Sequence, residues 1–169
     1  SIGREPAEGS GPADAVAALT RTGPRNLAGA PLMHGTGLFN AMSNLIVGGS
    51  VITMPGRRFD VVEMLDTIET ARAQSVSIVG DPFAKPILRA LDAEPDRWDF
   101  SSLRIMFSSG VMWSTVTKQG LLRHNPRLIC VDSLGSSEAI GMASSSTRTD
   151  DAADTATFQL GPSARVITE

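Results

Sequence analysis

The chain has 169 residues, 41% of them hydrophobic and 20% charged, with a formal charge of −3. That is enough chain for one domain with its own apolar core, and it excludes a disordered polyelectrolyte. The acidic balance, 5% aromatic content and absence of Tyr exclude nucleic acid as an expected partner, because phosphate contacts draw on excess Lys and Arg and single strands on aromatic platforms.

In chain order, Ser1 to Pro12 is rich in Gly, Pro, Ser and Glu and reads as a flexible lead-in; Asp14 to Leu19 follows as a short capped helix ended by Gly23-Pro24. The expected organisation is a lead-in over 1–30, an α/β ligand-binding subdomain over 31–146, and a loop with short strands over 147–169. Leu38 to Val47 predicts an apolar helix closed by Gly48-Gly49. Ser50 to Met54 predicts a strand stopped by Pro55-Gly56. Asp60 to Ala73 is the best helix, with Val61, Leu65 and Ile68 on one stripe and Asp60 with Glu63 as an N-terminal capping box. Val76 to Val79 is a further strand. Gly80-Asp81-Pro82 then opens a helix reaching about Leu91, which Pro86 should kink or delay by a turn. Leu103 to Phe107 is the next strand, Ser114 caps a helix to His124, and Leu128 to Val131 is another strand. Thr147 to Thr157 is polar and reads as a loop. Phe158 to Leu160 and Ala164 to Thr168 read as short strands flanking Gly161-Pro162.

Short continuous apolar strands alternating with helices predict an α/β fold, a mostly parallel sheet covered by helices. In such sheets ligands sit beyond the carboxyl ends of the strands. This directs attention to the loop after Val79 and to two later loops dense in small and polar residues: Ser108-Ser109-Gly110-Val111-Met112 and Asp132-Ser133-Leu134-Gly135-Ser136-Ser137-Glu138. Backbone N–H groups and hydroxyls of the second can approach a phosphate, with Glu138 on an accompanying Mg2+; taken alone it is equally an ordinary turn. Ser108-Ser109-Gly110 offers a surface where a flat ring can lie, or a tight turn leading to Ser114. His34, next to Gly35 and Gly37 in Pro31-Leu32-Met33-His34-Gly35-Thr36-Gly37, lines a pocket or is a satisfied structural histidine.

Other chemistries lack their parts. Gly35-Thr36-Gly37 begins a dinucleotide fingerprint but has no third glycine, so an oxidoreductase domain is disfavoured. There is no Gly-x-Ser-x-Gly elbow for a hydrolase. His34 and His124 with one cysteine do not make a zinc site. Cys130 lies in an apolar run and reads as a core residue; a single cysteine permits no intrachain disulfide and fits a reducing cytoplasm. No apolar stretch is long enough for a transmembrane segment. Arg57 and Arg58 read as a solvated pair. Trp98 and Trp113 read as packing residues, with Trp113 near enough to the Gly110 loop to meet a ligand.

From about Pro31 to Glu169 the three segments, in this order and spacing, resemble the adenylate-forming enzymes: acyl-CoA synthetases, adenylation domains of peptide synthetases, and luciferases. Pro-Leu-Met-His-Gly-Thr-Gly is similar to the family's apolar-His-x-x-Gly segment, which implies His34 near the acyl pocket and the reacting carboxylate. Ser-Ser-Gly-Val-Met-Trp-Ser resembles Ser-Gly-Gly-Ala-Pro-Leu-Ser, implying that Gly110, Val111 and Met112 lie along the adenine. Asp-Ser-Leu-Gly-Ser-Ser-Glu resembles the aromatic-Gly-x-Thr-Glu motif. That implies Ser137 at the α-phosphate, Glu138 on Mg2+, Asp132 near the adenine amino group, and Ser133, Leu134 and Gly135 around the nucleotide.

Leu134 departs from the usual aromatic, a loss of about 1 kcal/mol of stacking, and Ser137 replaces Thr but keeps the hydroxyl. The wording is most like an actinobacterial branch of fatty-acid and sterol side-chain ligases. The resemblance implies ATP/AMP, Mg2+ and CoA as cofactors and co-substrates, and a fatty or sterol-derived carboxylic acid as substrate. The family's phosphate loop ending in Lys-Gly, its ribose-binding Asp and its lysine-bearing C-terminal domain have no counterpart here. The expectation is therefore an internal piece of the large N-terminal domain, inactive alone and exposing sheet edges that favour a homo-oligomer. The rival within the same fold is a non-catalytic nucleotide- or acyl-binding module.

Overall fold

A computed structural model describes residues 23–151, 157–162 and 164–167. The predicted helix over Asp14 to Leu19 lies outside the described residues. In chain order the elements are β1 (Arg25–Leu27), α1 (Gly35–Ile46), β2 (Ser50–Ile52), α2 (Val61–Thr70), β3 (Ser75–Ile78), α3 (Gly80–Ala93), a 3-10 turn (Phe100–Ser102), β4 (Ile105–Ser109), α4 (Thr115–His124), β5 (Ile129–Leu134), β6 (Ala143–Thr147) and β7 (Gln159–Leu160). They build one 7-stranded sheet of order β2-β1-β3-β4-β5-β6-β7. Pairings among β1 to β5 are parallel, whereas β6 and β7 are added antiparallel. The mostly parallel α/β sheet read from the sequence is therefore the fold.

The core lies on one face. Met64, Leu65 and Ile68 of α2, Ile87 and Leu91 of α3 and Leu121 of α4 close over Val76, Ile78, Met106 and Cys130, all essentially fully buried. Side chains alternate along a strand, so the next residue on each strand faces the other way. There α1 packs on β1, β2 and β3, and no helix among the described residues covers the far side of β4, β5 and β6.

Local chemistry explains the element ends. Asp60 Oδ1 accepts from the Val62 and Glu63 amides at 2.8 and 3.1 Å, capping α2. The box is only half closed: Glu63 reaches the Gly56 amide at 2.8 Å instead of the Asp60 amide. Pro86 does not delay α3, which runs as one helix from Gly80 with Val79 as N-cap and carries the proline inside it. The acceptor it abandons is the carbonyl of Pro82, an exposed first-turn residue where water can substitute.

Four expectations are corrected. Arg25–Leu27 is an interior strand that its polar sequence conceals. The strand expected to end at Phe107 runs on to Ser109, so Ser108 and Ser109 belong to β4. Ala143–Thr147 is a strand, held by β5 through register pairs such as Asp132 with Ser145. Residues 164–167 form no strand.

Candidate functional site

The strand order reverses between β1 and β3, which flank the switch point where open α/β sheets bind ligands. The loops leaving β1, β3, β4 and β5 emerge at the same rim. Ser108 pairs with Asp132 and Ser109 with Ser133 in adjacent parallel strands, so the two loops singled out in the sequence start side by side.

Beneath them lies a cleft of about 960 Å³ on the open face. Strand register arranges its floor in rows. Ser109, Ser133 and Ser144 form the rim row; Phe107, Val131 and Ser146 the next; Ile105 pairs with Ile129 below, with Arg148 just beyond β6. One wall comes from α1 and the turn before it, through Met33, His34, Thr36, Phe39, Asn40 and Ser43; the top is closed by Gly110, Gly135, Ser136 and Ser137. The cleft is thus hydroxyl-rich at the rim and apolar along the floor of β4 and β5.

His34 is the N-cap of α1, and its Nδ1 accepts from the Thr36 amide at 3.2 Å. A neutral imidazole that accepts at Nδ1 carries its proton on Nε2. The ring lies over Gly110: a Cβ built there would stand 3.4 Å from His34 Cε1 and 3.5 Å from Nε2. Gly110 also has φ +89°, the left-handed region that favours glycine. Residues far apart in sequence thus meet at one point.

The Gly110 loop is held from the covered face. Ser108 Oγ accepts from the Gly80 amide at 2.9 Å, and the Asp81 amide donates to the Met112 carbonyl at 3.2 Å. Gly80 has φ +55°, and a Cβ on it would come within 2.6 Å of the Val111 carbonyl oxygen. Val111 and Met112 turn their side chains to solvent and stand outside the cleft lining, which of this loop takes in Gly110 alone, while their carbonyls face Gly80 and Asp81.

The second loop is a hairpin tip, not a strand-to-helix turn: β5 returns as β6, and Ser136 and Ala139 exchange backbone hydrogen bonds at 3.0 and 3.2 Å. Ser137 lines the cleft beside Ser136. Glu138 is exposed and outside the lining set; its own amide and the Ser136 hydroxyl hold its carboxyl below the ordinary value. Leu134 is also exposed. Asp132 obeys the pleat and faces the covered side, where Lys118 pairs with it; burial pushes its carboxyl up, against the pull of Lys118.

Among the described residues no group of three or more His, Cys, Asp or Glu side chains converges as a metal would require. Glu138 is a single carboxylate beside two serine hydroxyls. That fits Mg2+, which is commonly held by one or two carboxylates with substrate phosphates and water, and does not fit an all-protein metal cage. Cys130 is fully buried and its thiol is pushed up to about 12, so it is no nucleophile. No helix among the described residues is long and apolar enough to cross a membrane.

Sequence reading missed the cleft floor, the serines of β6, and Lys118. Only Lys118 left a signal: it sits three and four residues before Leu121 and Leu122, on the apolar stripe of α4.

A hydroxyl-rich rim above an apolar trough, at the carboxyl ends of parallel strands, is a ligand-binding arrangement of an α/β sheet. Residues 11–166 match the model of the AMP-binding enzymes, and the chain belongs to that family. It is 31% identical over 140 residues to the medium-chain acyl-CoA ligase Mig of Mycobacterium avium, covering 82% of this chain and 25% of the relative. It is 33% identical over 112 residues to the 3-oxocholest-4-en-26-oate–CoA ligase of Rhodococcus rhodochrous, covering 64% and 20%. The solved nonribosomal peptide synthetase FmoA3 shares the fold with TM-score 0.67 at 19% identity, over 84% of this chain and 15% of that one. The chain spans about a quarter or less of the relatives it matches.

Proposed function

We propose that this chain supplies the adenine-, phosphate- and acyl-facing rim of an ATP-dependent acid–thiol ligase that converts a fatty or sterol-derived acid to its acyl-AMP and then to its CoA thioester. The observation that carries the reading is the cleft in which His34, Gly110, Ser133, Gly135, Ser136 and Ser137 meet above an apolar floor. The relatives' names, a medium-chain ligase and a sterol-oate ligase, support the acid class.

In the first step the acid's carboxylate attacks the α-phosphate of ATP and pyrophosphate leaves. An anion must approach a polyanion, so positioning and charge neutralisation dominate the barrier. The backbone of Gly110, Val111 and Met112 lies along one face of the adenine, with Ser133, Leu134 and Gly135 at its edge. Asp132 contributes through the strand end it anchors on the covered face. Ser137, with Ser136 beside it, donates hydroxyl hydrogen bonds to the α-phosphate. Glu138 would hold Mg2+, which would supply charge neutralisation without a proton. His34, whose Nε2 lies beside Gly110, orients the carboxylate. The acyl chain runs down the floor past Phe107 and Val131; from the Ser109 row to the Ile105 row this is about 13 Å at ordinary strand rise. In the second step the CoA thiol displaces AMP. The setting is the cytoplasm.

Calorimetry with AMP and with a non-hydrolysable medium-chain acyl-AMP analogue tests the reading. Saturable binding, tighter for the analogue, is expected, with no pyrophosphate released from ATP and fatty acid by the chain alone. Absence of binding by either ligand at millimolar concentration overturns the reading. Saturation by the analogue that survives Phe107→Asp overturns the placement of the acyl chain.

A further inference from the structure

Hidden behind the two rim loops, on the covered face, is a charged group that the chemistry above does not use. Lys118 of α4 is 2% exposed, and its Nζ pairs with Asp132 Oδ2. The same Nζ lies 5.6 Å from the centroid of the Trp113 ring, within cation–π range. Trp113 is 1% exposed. The connectivity gives this arrangement its meaning. Trp113 directly follows Met112, the end of the adenine-facing loop, and Asp132 directly precedes Ser133, the start of the phosphate-facing loop. One ammonium therefore touches the root of both.

A buried ion pair is a poor source of net stability, since apolar side chains of similar volume serve as well or better; where it is retained, fixing one arrangement against its alternatives is a well-attested use. The second loop also needs an anchor: Leu134 stands exposed where the resembling motif has an aromatic, so the tip has no ring to pack. We propose that Lys118 is a positioning residue that locks the Gly110–Met112 and Ser133–Glu138 loops at the separation a nucleotide requires, through Trp113 on one side and Asp132 on the other. The nucleotide part of this inference rests on the function proposed above; the linkage of the loops does not.

Two readouts on the full chain separate those parts. Lys118→Met with Asp132→Asn removes both charges while keeping side-chain volume, and Lys118→Arg keeps the cation. In the ligand-free chain, backbone 15N order parameters of both loops should fall in the double variant from about 0.85 to 0.6 or below, with α2 and α3 unchanged and the urea midpoint near wild type. AMP affinity should weaken at least tenfold in the double variant and recover to within about threefold in Lys118→Arg. Order parameters unchanged in either loop, or AMP affinity in the double variant within twofold of wild type, overturn the inference. If the wild-type chain binds no AMP but the order parameters fall in both loops, the nucleotide reading fails and the linkage stands. Loss of folding in the double variant, with Lys118→Arg folded normally, makes the pair a core requirement and also overturns the positioning role.

Discussion

On the covered face of β4 and β5, Met106 and Cys130 are fully buried beneath helices, while one residue along each strand Phe107 and Val131 are half-buried at the floor of an open cleft. The strands are the same, the backbone hydrogen bonds are shared, and the side chains on both faces are apolar. What differs is what stands opposite. Helices α2, α3 and α4 close one face to solvent, whereas on the other α1 packs mainly on β1 to β3. An apolar side chain is therefore a closed-core element on one face and a cleft-lining surface on the other, and its identity alone does not say which.

Substitutions can break that contrast. The largest effect is expected at Met106→Ala, which leaves a cavity in a closed core and should cost about 3 kcal/mol in urea unfolding. Phe107→Ala, its neighbour, should cost about 1 kcal/mol of stability, since its surface is already partly wet, yet abolish preference for an acyl-AMP analogue over AMP. Equal stability losses at the two positions would erase the distinction between the faces.

At the rim where the faces meet, Gly80→Ala forces a side chain into φ +55° and against the Val111 carbonyl. A loss of about 2 kcal/mol is expected from the left-handed backbone alone, together with altered chemical shifts at Val111 and Met112. Normal stability and unmoved shifts would show that the loop is not clamped there.

Asp81 gives a pH-dependent case. Desolvation raises its carboxyl, but hydrogen bonds from Lys85 and from the Ser114 amide and hydroxyl outweigh it and hold the carboxyl below the ordinary value. With a depressed folded-state pKa, the unfolded chain takes the proton first. The stabilisation is therefore complete above the ordinary Asp value of about 3.9 and is lost as pH falls through the folded value. Asp81→Asn should cost about 1 kcal/mol at neutral pH and flatten the acid limb of the stability profile; an unchanged limb assigns that slope to other carboxylates. The smallest effect belongs to Asp60→Ala, which removes an exposed cap far from the cleft. About 0.5 to 1 kcal/mol of stability should go, with AMP affinity unmoved; a change in affinity would show that α2 communicates with the rim.

Much of the architecture was legible. The helices over Leu38 to Val47, Asp60 to Ala73 and Ser114 to His124 show their apolar stripes and end signals, and the strands around Val76, Leu103 and Leu128 show short apolar runs. The strand Arg25–Leu27 was not legible, because three residues with one apolar side chain carry no period. Nor was Ala143–Thr147, whose small polar side chains match a loop until β5 pairs with them. Of the site, the residues at the rim were named from local pattern, while the floor and the orientation of Asp132 were not.

By itself the sequence determined the class of fold, the order of the rim loops and the residues each loop carries, because these depend on side-chain period and on turn chemistry within a few neighbouring residues. The tertiary structure alone decided that Ser108 and Ser109 are strand, that the loop from Gly135 to Glu138 is a hairpin tip, and that Asp132 looks away from the cleft toward Lys118. Those facts depend on register and pleat. Moving one residue along a strand exchanges its two faces, and only the neighbouring strands and helices settle which face each residue takes.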